Sequence, residues 1–220
     1  ASFASVISGT GSLTKLGAGA LTLSGINTFS GGLTVSAGSV SGAANNFGTG
    51  AIVNNAALTF NQVSDASFAS VISGTGSLTK LGAGALTLSG INTFSGGLTV
   101  SAGSLIGNTG SFGTGNIVNN AALVFDQGSD GSFAGGISGT GSLTKLGAGT
   151  LTLTGAITYS GSTTISQGRL IGNTQSLVTG AIVNNAALVF DQVSDASFAS
   201  VISGTGSLTK LGAGALTLSG

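Results

Sequence analysis

The chain has 220 residues, and its five basic and five acidic residues balance to a formal charge of zero. This balance gives neither nucleic acid nor an anionic membrane an electrostatic attraction to the chain. Histidine and cysteine are absent, which excludes disulfides, thiolate metal sites and the commonest general base.

Glycine accounts for 41 residues, yet the composition does not suit a disordered chain. There is no proline, 41% of the residues are hydrophobic, and the mean hydropathy is +0.55. A solvated coil would be far more polar. We therefore expect an ordered structure in which glycine forms the turns. No apolar run approaches the roughly 20 residues of a membrane-spanning helix.

A fixed internal repeat organises the chain. The segment SGTGSLTKLGAGALTLSG occupies residues 8–25 and returns unchanged at 73–90 and 203–220. The units are 1–65, 66–130, 131–195 and a partial 196–220. Units of one kind stack into one elongated body, so the sequence predicts a single continuous solenoid over 1–220. Since the array starts and stops inside its own pattern, we expect it to be a window from a longer protein.

In chain order, the first unit contains four short alternating segments. They are ALTLSG at 20–25, GLTVSAG at 32–38, AIVNN at 51–55 and ALTFNQ at 57–62. Leu21 and Leu23 would face one side and Thr22 the other, which is the period of a half-buried strand. No apolar stripe has helical spacing. The prediction is an all-β chain.

Strands this short, with turn residues every few positions, favour a coil that winds round and stacks on itself in parallel. Three coils of about 22 residues would fill each repeat and give about ten coils in all, with strands about 4.8 Å apart. Two or four coils per repeat are compatible with the same pattern.

The glycines, leucines and lysine of the repeat resemble a known family motif, the passenger-associated transport repeat of bacterial autotransporters. The pattern returns from Gly74 to Leu105, from Gly139 to Leu170, with Ile157 and Tyr159 as departures, and in part from Gly204 to Gly220. In the first unit it comprises Gly9, Gly11, Leu13, Lys15, Gly17, Gly19, Leu21, Leu23, Gly25, Asn27, Phe29, Gly31, Val35, Gly38 and Val40.

The resemblance implies a right-handed parallel β-helix that is secreted and displayed on the surface of a Gram-negative bacterium. It also implies an outer-membrane β-barrel translocator outside this window. Members of the family serve adhesion, aggregation and biofilm formation, and some are enzymes or toxins. The resemblance therefore implies location and shape more firmly than activity.

The only carboxylates are five aspartates. Asp126 and Asp130 lie in DQGSD, and Asp191 and Asp195 lie in DQVSD, a spacing that could place two carboxylates near one turn as a weak Ca²⁺ site. A solvated turn is the favoured interpretation, because the first unit has Asn61 at the place that matches Asp126. We assign no catalytic, cofactor-binding or metal-binding residue.

Other repeated residues receive structural interpretations. Lys15 and its copies Lys80, Lys145 and Lys210 are expected at a corner with the ammonium group in water. Phe3, Phe29, Phe60 and their copies are expected in the core. Asn54 and Asn55 and their copies are expected at turns, with side chains bonded to the backbone.

These observations predict an extracellular structural stalk, or an adhesive and self-associating fibre segment, without enzymatic activity. The expected partners are neighbouring copies and a host or abiotic surface. One alternative is a polysaccharide-acting enzyme of the parallel β-helix kind. Another is an ice-binding solenoid, since Thr150, Thr152 and Thr154 would face outward from one strand.

Overall fold

The computed structural model describes residues 1–177 and 180–220. Apart from a 3-10 turn at Ala44–Asn46, the regular structure of these residues is β-strand. They divide into two compact units. The first comprises Ala1–Ile106 and Gly110–Asn116, and the second comprises Gly107–Thr109 and Ile117–Gly220.

The strands of the first unit are short, as the closely spaced turn residues predict. They are β1 (Ser2–Phe3), β2 (Leu13–Lys15), β3 (Ala20–Leu23), β4 (Leu33–Val35), β5 (Ser39–Gly42), β6 (Ile52–Asn54), β7 (Ala57–Asn61), β8 (Ala66–Phe68), β9 (Ile72–Ser73), β10 (Ser77–Leu81), β11 (Ala85–Leu88), β12 (Leu98–Val100) and β13 (Ser104–Gly107).

The strands of the second unit follow the same pattern. They are β14 (Ile117–Asn119), β15 (Ala122–Asp126), β16 (Gly131–Phe133), β17 (Ile137–Ser138), β18 (Ser142–Leu146), β19 (Thr150–Leu153), β20 (Thr163–Ile165), β21 (Arg169–Gly172), β22 (Ile182–Asn184), β23 (Ala187–Asp191), β24 (Ala196–Phe198), β25 (Ile202–Ser203), β26 (Ser207–Leu211) and β27 (Leu216–Leu218).

Each unit is a parallel β-solenoid, which confirms the predicted fold class. In the first unit, one sheet joins β1, β3, β5, β7, β10 and β12, a second joins β2, β4, β6 and β9, and a third joins β8, β11 and β13. In the second unit, one long sheet joins β25, β22, β20, β18 and β15. Another joins β16, β19, β21, β23 and β26. The strand pairs of both units are parallel.

The coils are shorter than the sequence analysis expected. Along one sheet, residue 13 pairs with 33, 33 with 52, and 52 with 72, which sets the coil length at about 20 residues. The chain therefore makes about 11 coils, where about ten were expected. The coils are this short because strands of two to five residues are joined by tight glycine turns.

This coil length makes the sequence repeat and the coil incommensurate. A 65-residue repeat spans roughly three and a third coils of this length, so a repeated residue moves to another sheet instead of returning to its own. Within the first unit, Lys15 lies in β2 and its copy Lys80 in β10, which belong to different sheets. Within the second unit, Lys145 in β18 and Lys210 in β26 are separated in the same way.

The core lies inside each coil and is built by strand alternation. Leu23, Leu33 and Val35 are buried, whereas Thr22 is exposed, as the period of two predicts. Aromatic rings from adjacent segments meet edge to face, with centroids 4.9 Å apart for Phe47 and Phe60. No helix among the described residues has the length and apolar character needed to span a bilayer.

Candidate functional site

The repeated lysine is inside the coil, so its expected place in water is wrong. Lys80 and Lys145 have no exposed surface, and Lys15 has 9%. The reason is alternation: in the strand Ser77–Leu81, Leu78 and Lys80 both point inward. The strand period therefore outweighs the charge in placing this residue.

Backbone carbonyls surround each buried ammonium group. Lys80 Nζ donates to the oxygens of Leu81 at 2.9 Å, Gly82 at 2.8 Å and Ala102 at 3.0 Å. The first two acceptors are the last residue of the strand and the residue after it, and Ala102 belongs to the next coil. Three donors meet three acceptors, so the charge is fully hydrogen-bonded. The lysine thereby ties two coils together.

The turn that holds the ammonium group requires glycine. Gly82 has a φ of +79°, a conformation that other residues rarely adopt. A side chain there would also collide with the backbone oxygen of Gln62 in the preceding coil. The Lys-x-Gly spacing of the motif is thus explained by the turn whose carbonyl oxygen accepts from the lysine's own ammonium group.

The same contacts recur in two other copies and are incomplete in the fourth. Lys15 and Lys145 each donate to the oxygens of the next two residues and of one residue 22 positions later. Lys210 is exposed and donates to Gly212 O at 2.6 Å.

Burial lowers the pKa of Lys80 and of Lys145, while the nearby aspartates oppose that shift. A lysine with a lowered pKa can serve as a base or nucleophile elsewhere. Here the amine is enclosed and its protons are bonded to carbonyl oxygens, so a substrate has no access to it. The arrangement supports a structural cation.

One aspartate of each repeat has a structural partner. The Oδ1 atoms of Asp65, Asp130 and Asp195 accept the backbone N–H of Ala85, Thr150 and Ala215 at 2.8, 2.7 and 2.7 Å. This hydrogen bond lowers the pKa of the Asp130 carboxyl. Each of these aspartates thus anchors the start of a strand in the next coil.

The other aspartates, Asp126 and Asp191, are exposed at strand ends. Among the described residues, no three His, Cys, Asp or Glu side chains come together as a metal site. One oxygen of Asp130 and of Asp195 already accepts a backbone hydrogen bond. Weak calcium binding at the pairs Asp126/Asp130 and Asp191/Asp195 stays a prediction that terbium titration can test.

Buried amides bond to the backbone, as predicted for the asparagine pair. Asn54 Nδ2 donates to Ser77 O at 2.8 Å, and Asn55 Oδ1 accepts from Thr75 N at 3.3 Å. The sequence analysis missed Gln62, whose Oε1 accepts from Ala44 N at 2.9 Å and whose Nε2 donates to Ser64 O at 2.6 Å. Its copies Gln127 and Gln192 make equivalent bonds.

The aromatic residues lie in the core as predicted, except for Phe3 in the first coil, which is 42% exposed. In the third repeat, Tyr159 replaces the phenylalanine, and its hydroxyl lies 2.6 Å from Thr163 Oγ1. Thr163 stands where the second repeat has Leu98. A buried polar pair has thus replaced a buried apolar one.

The threonines proposed for ice binding do face outward. Thr150 and Thr152 are half-buried and Thr154 is exposed, whereas Leu151 and Leu153 between them are buried. Outward threonines also align between coils, since Thr79 pairs with Thr59 on one side and Thr99 on the other.

The repeat family described as Passenger-associated-transport-repeat matches residues 13–41, 78–106, 143–171 and 208–220. Four segments of the chain thus match this repeat model, the last of them only in part. Each complete copy begins at the strand that contains the buried lysine and ends about one and a half coils later. The resemblance to bacterial autotransporter passengers is confirmed.

One curated relative supports the same conclusion. The chain is similar to the adhesin BmaC autotransporter of Brucella suis biovar 1 (strain 1330), with 40% identity over 101 residues. That stretch is 44% of this chain and 3% of the relative. No solved structure matches the chain.

Proposed function

We propose that this chain is a non-catalytic segment of a secreted passenger displayed on a bacterial outer membrane, where it acts as a stalk or an adhesive, self-associating fibre. The passenger repeats and the similarity to an autotransporter adhesin support the location and the adhesive role. The fold supports the structural role, because a parallel solenoid is lengthened by adding coils without new interfaces.

One observation carries the non-catalytic part of the proposal. The polar side chains most able to do chemistry are bonded to the backbone of their own or an adjacent coil: the buried lysines, one aspartate per repeat, and the asparagines and glutamines. Among the described residues, no buried side-chain nitrogen or oxygen lacks a hydrogen-bond partner. These groups hold the stack and have little capacity left for a substrate.

Self-association is consistent with the outward surface. The outward row through Thr22, Ser41, Thr59, Thr79 and Thr99 carries hydroxyl groups and no charge. A surface of low net charge gives little repulsion between neighbouring copies. We expect these rows to be part of the contact between copies.

An in-frame deletion tests the stalk. Removing residues 66–130 from the full-length protein deletes one whole repeat and joins two matching positions of the pattern. We expect the shortened protein to fold, to reach the surface and to keep supporting cell adhesion. Surface labelling reports display, and adhesion is measured in the same cells. Loss of adhesion with display intact would show that the deleted repeat holds a discrete site.

The enzyme alternative is tested with the purified chain. We expect no release of reducing ends or unsaturated products from pectin, chitin or xylan. Depolymerisation of any of them by this chain would refute the non-catalytic proposal.

Ice binding is a second candidate, favoured by the aligned threonines Thr59, Thr79 and Thr99. The neighbouring outward row holds Ala57 and Ser77 instead of threonine. The threonine side chains, with their hydroxyl and methyl groups, therefore form a single row on this face. Thermal hysteresis of the purified chain decides this candidate, and absence of hysteresis removes it.

A further inference from the structure

A shallow cavity lies on the outer face of the second unit, where β19, β21 and β23 run side by side. Its volume is about 140 Å³, and the residues that matter for its chemistry are Thr152, Thr154, Ile171, Asn173 and Asp191. These residues come from three successive coils: Thr152 pairs with Ile171, and Asp191 follows Phe190, the partner of Gly172. The stacking of the coils therefore assembles the cavity.

The polar groups of the cavity are available to a ligand. The side chain of Asp191 is exposed, so its carboxylate can be reached by a ligand. The Oδ1 atom of Asn173 accepts from Gln175 N and Ser176 N, both at 2.9 Å. This fixes the amide and leaves its Nδ2 group as a donor for a ligand. Thr152 adds a hydroxyl that can donate and accept, and the Thr154 hydroxyl, which donates to Phe133 O at 3.4 Å, can accept.

The apolar part of the lining includes Ile171, which is half-buried. Its register partner Val189 lies outside the lining and is 4% exposed. An apolar side chain beside hydroxyl, amide and carboxylate groups suits a ligand with both C–H surface and hydroxyl groups.

The donor set discriminates between ligand classes. A single carboxylate is too few for a calcium site, which takes six to eight oxygens, and the same carboxylate repels anions. Drug-sized ligands need cavities of about 300 Å³ or more, which is more than the 140 Å³ found here. One ring with several hydroxyls fits both the size and the chemistry.

We propose that this cavity binds one ring of a neutral saccharide, with Asp191 accepting sugar hydroxyls, Asn173 donating and Ile171 contacting the C–H face. The first repeat has Ala43 and Asn61 at the positions of Asn173 and Asp191, so it lacks both groups. The inference extends the adhesive part of the proposed function by naming a ligand class.

The test is a titration of the purified chain followed by amide chemical shifts in nuclear magnetic resonance spectra. The probes are D-glucose, D-galactose, D-mannose and N-acetyl-D-glucosamine, added separately. At least one sugar should shift the amides of Thr152, Thr154 and Asn173 saturably. The titration uses the purified chain, so its failure would rule out the sugar site only. Surface display and adhesion are tested separately by the deletion of residues 66–130.

Variants identify the site. Asp191→Asn should weaken sugar binding about tenfold or more, as loss of a charged hydrogen-bond acceptor does. Thr152→Val should weaken it as well. Asp65→Asn is the control for removing one exposed carboxylate, because Asp65 lies outside the cavity and its Oδ1 accepts from Ala85 N, and it should leave the affinity unchanged.

Three results would overturn the proposal. They are no saturable shift with any of the four sugars, shifts confined to other faces, and sugar binding that Asp191→Asn leaves unaltered. A response of these amides to calcium chloride alone would also overturn it, since it would identify the cavity as a cation site.

Discussion

Lys80 illustrates how one charged residue can hold two coils together. A buried charge is costly unless it is fully paired, and here the pairing comes from three carbonyl oxygens, one of them in the next coil. Lys15 and Lys145 make the equivalent three hydrogen bonds. The lysine of the motif therefore stabilises the stacking of adjacent coils.

Replacing that lysine tests its structural role. Lys80→Met keeps the length of the side chain but leaves the three carbonyls without a donor, so we expect a loss of about 3 kcal/mol in the free energy of unfolding. The matched control Lys210→Met removes an exposed ammonium and should cost less than about 0.5 kcal/mol. Urea unfolding measures both. Equal effects would mean that the buried ammonium contributes nothing.

The Tyr159–Thr163 pair predicts a compensated substitution. Tyr159→Phe leaves the buried Thr163 hydroxyl without its partner and should cost about 1 kcal/mol. Adding Thr163→Leu recreates the Phe94–Leu98 pair of the second repeat, and the double variant should recover most of that loss. A double-mutant cycle from urea unfolding gives the coupling. Additive losses would contradict the pairing.

Asp130 predicts a dependence of stability on pH. The hydrogen bond from Thr150 N lowers the pKa of this carboxyl in the folded state. A lowered carboxyl pKa contributes stability that is fully present above the unfolded value of about 3.9 and is lost as the pH falls through the folded value. The stability difference between the wild type and Asp130→Asn should therefore shrink in acid. A difference that is constant with pH would refute this.

At the scale of the strand, alternation decides which substitutions the coil tolerates. Leu23 is buried and its neighbour Thr22 is exposed. Leu23→Asp should destabilise the fold by more than about 3 kcal/mol, because it places an unpaired charge in the core. Thr22→Asp should be mild. Similar losses in urea unfolding would mean that the inward and outward assignment is wrong.

The four alternating segments predicted from the first repeat are all strands, because Leu, Val, Ile and Phe at every second position specify a buried face. The strand Ser39–Gly42 was missed, since serine and glycine have low β-propensity and only stacking orders them. The strand Leu13–Lys15 was missed because its second inward residue is charged.

The same limit applies to the functional residues. Asparagine at a turn commonly bonds to the backbone, so that role could be predicted from sequence, although Asn54 and Asn55 each have a partner in the next coil. One partner of Lys80, Ala102 O, and one partner of Gln62, Ala44 N, lie one coil away, and a backbone partner in another coil cannot be identified from the sequence. The strand register gives the coil length. With that length known, the alternation that places Leu78 and Lys80 on one side would be sufficient to predict that Lys80 is buried.

At the scale of the molecule, the sequence repeat and the coil have different periods. Copies of one residue therefore lie on different sheets within each unit, whereas each outward row combines residues from different parts of the repeat. In the first unit, Thr79 has Thr59 and Thr99 as lateral neighbours, and its repeat copy Thr14 pairs with Thr34 in another sheet. A stalk built this way would present each feature of the repeat on more than one side.

Spin-label distances test this central claim most directly. Nitroxides attached to cysteines at Thr59 and Thr79, or at Thr79 and Thr99, should broaden each other's spectra strongly, because adjacent parallel strands are about 4.8 Å apart. Labels at Thr14 and Thr79 should show no such broadening, since they occupy different sheets. Strong broadening for Thr14 and Thr79, with none for Thr59 and Thr79, would instead place repeat copies on one face and contradict the account.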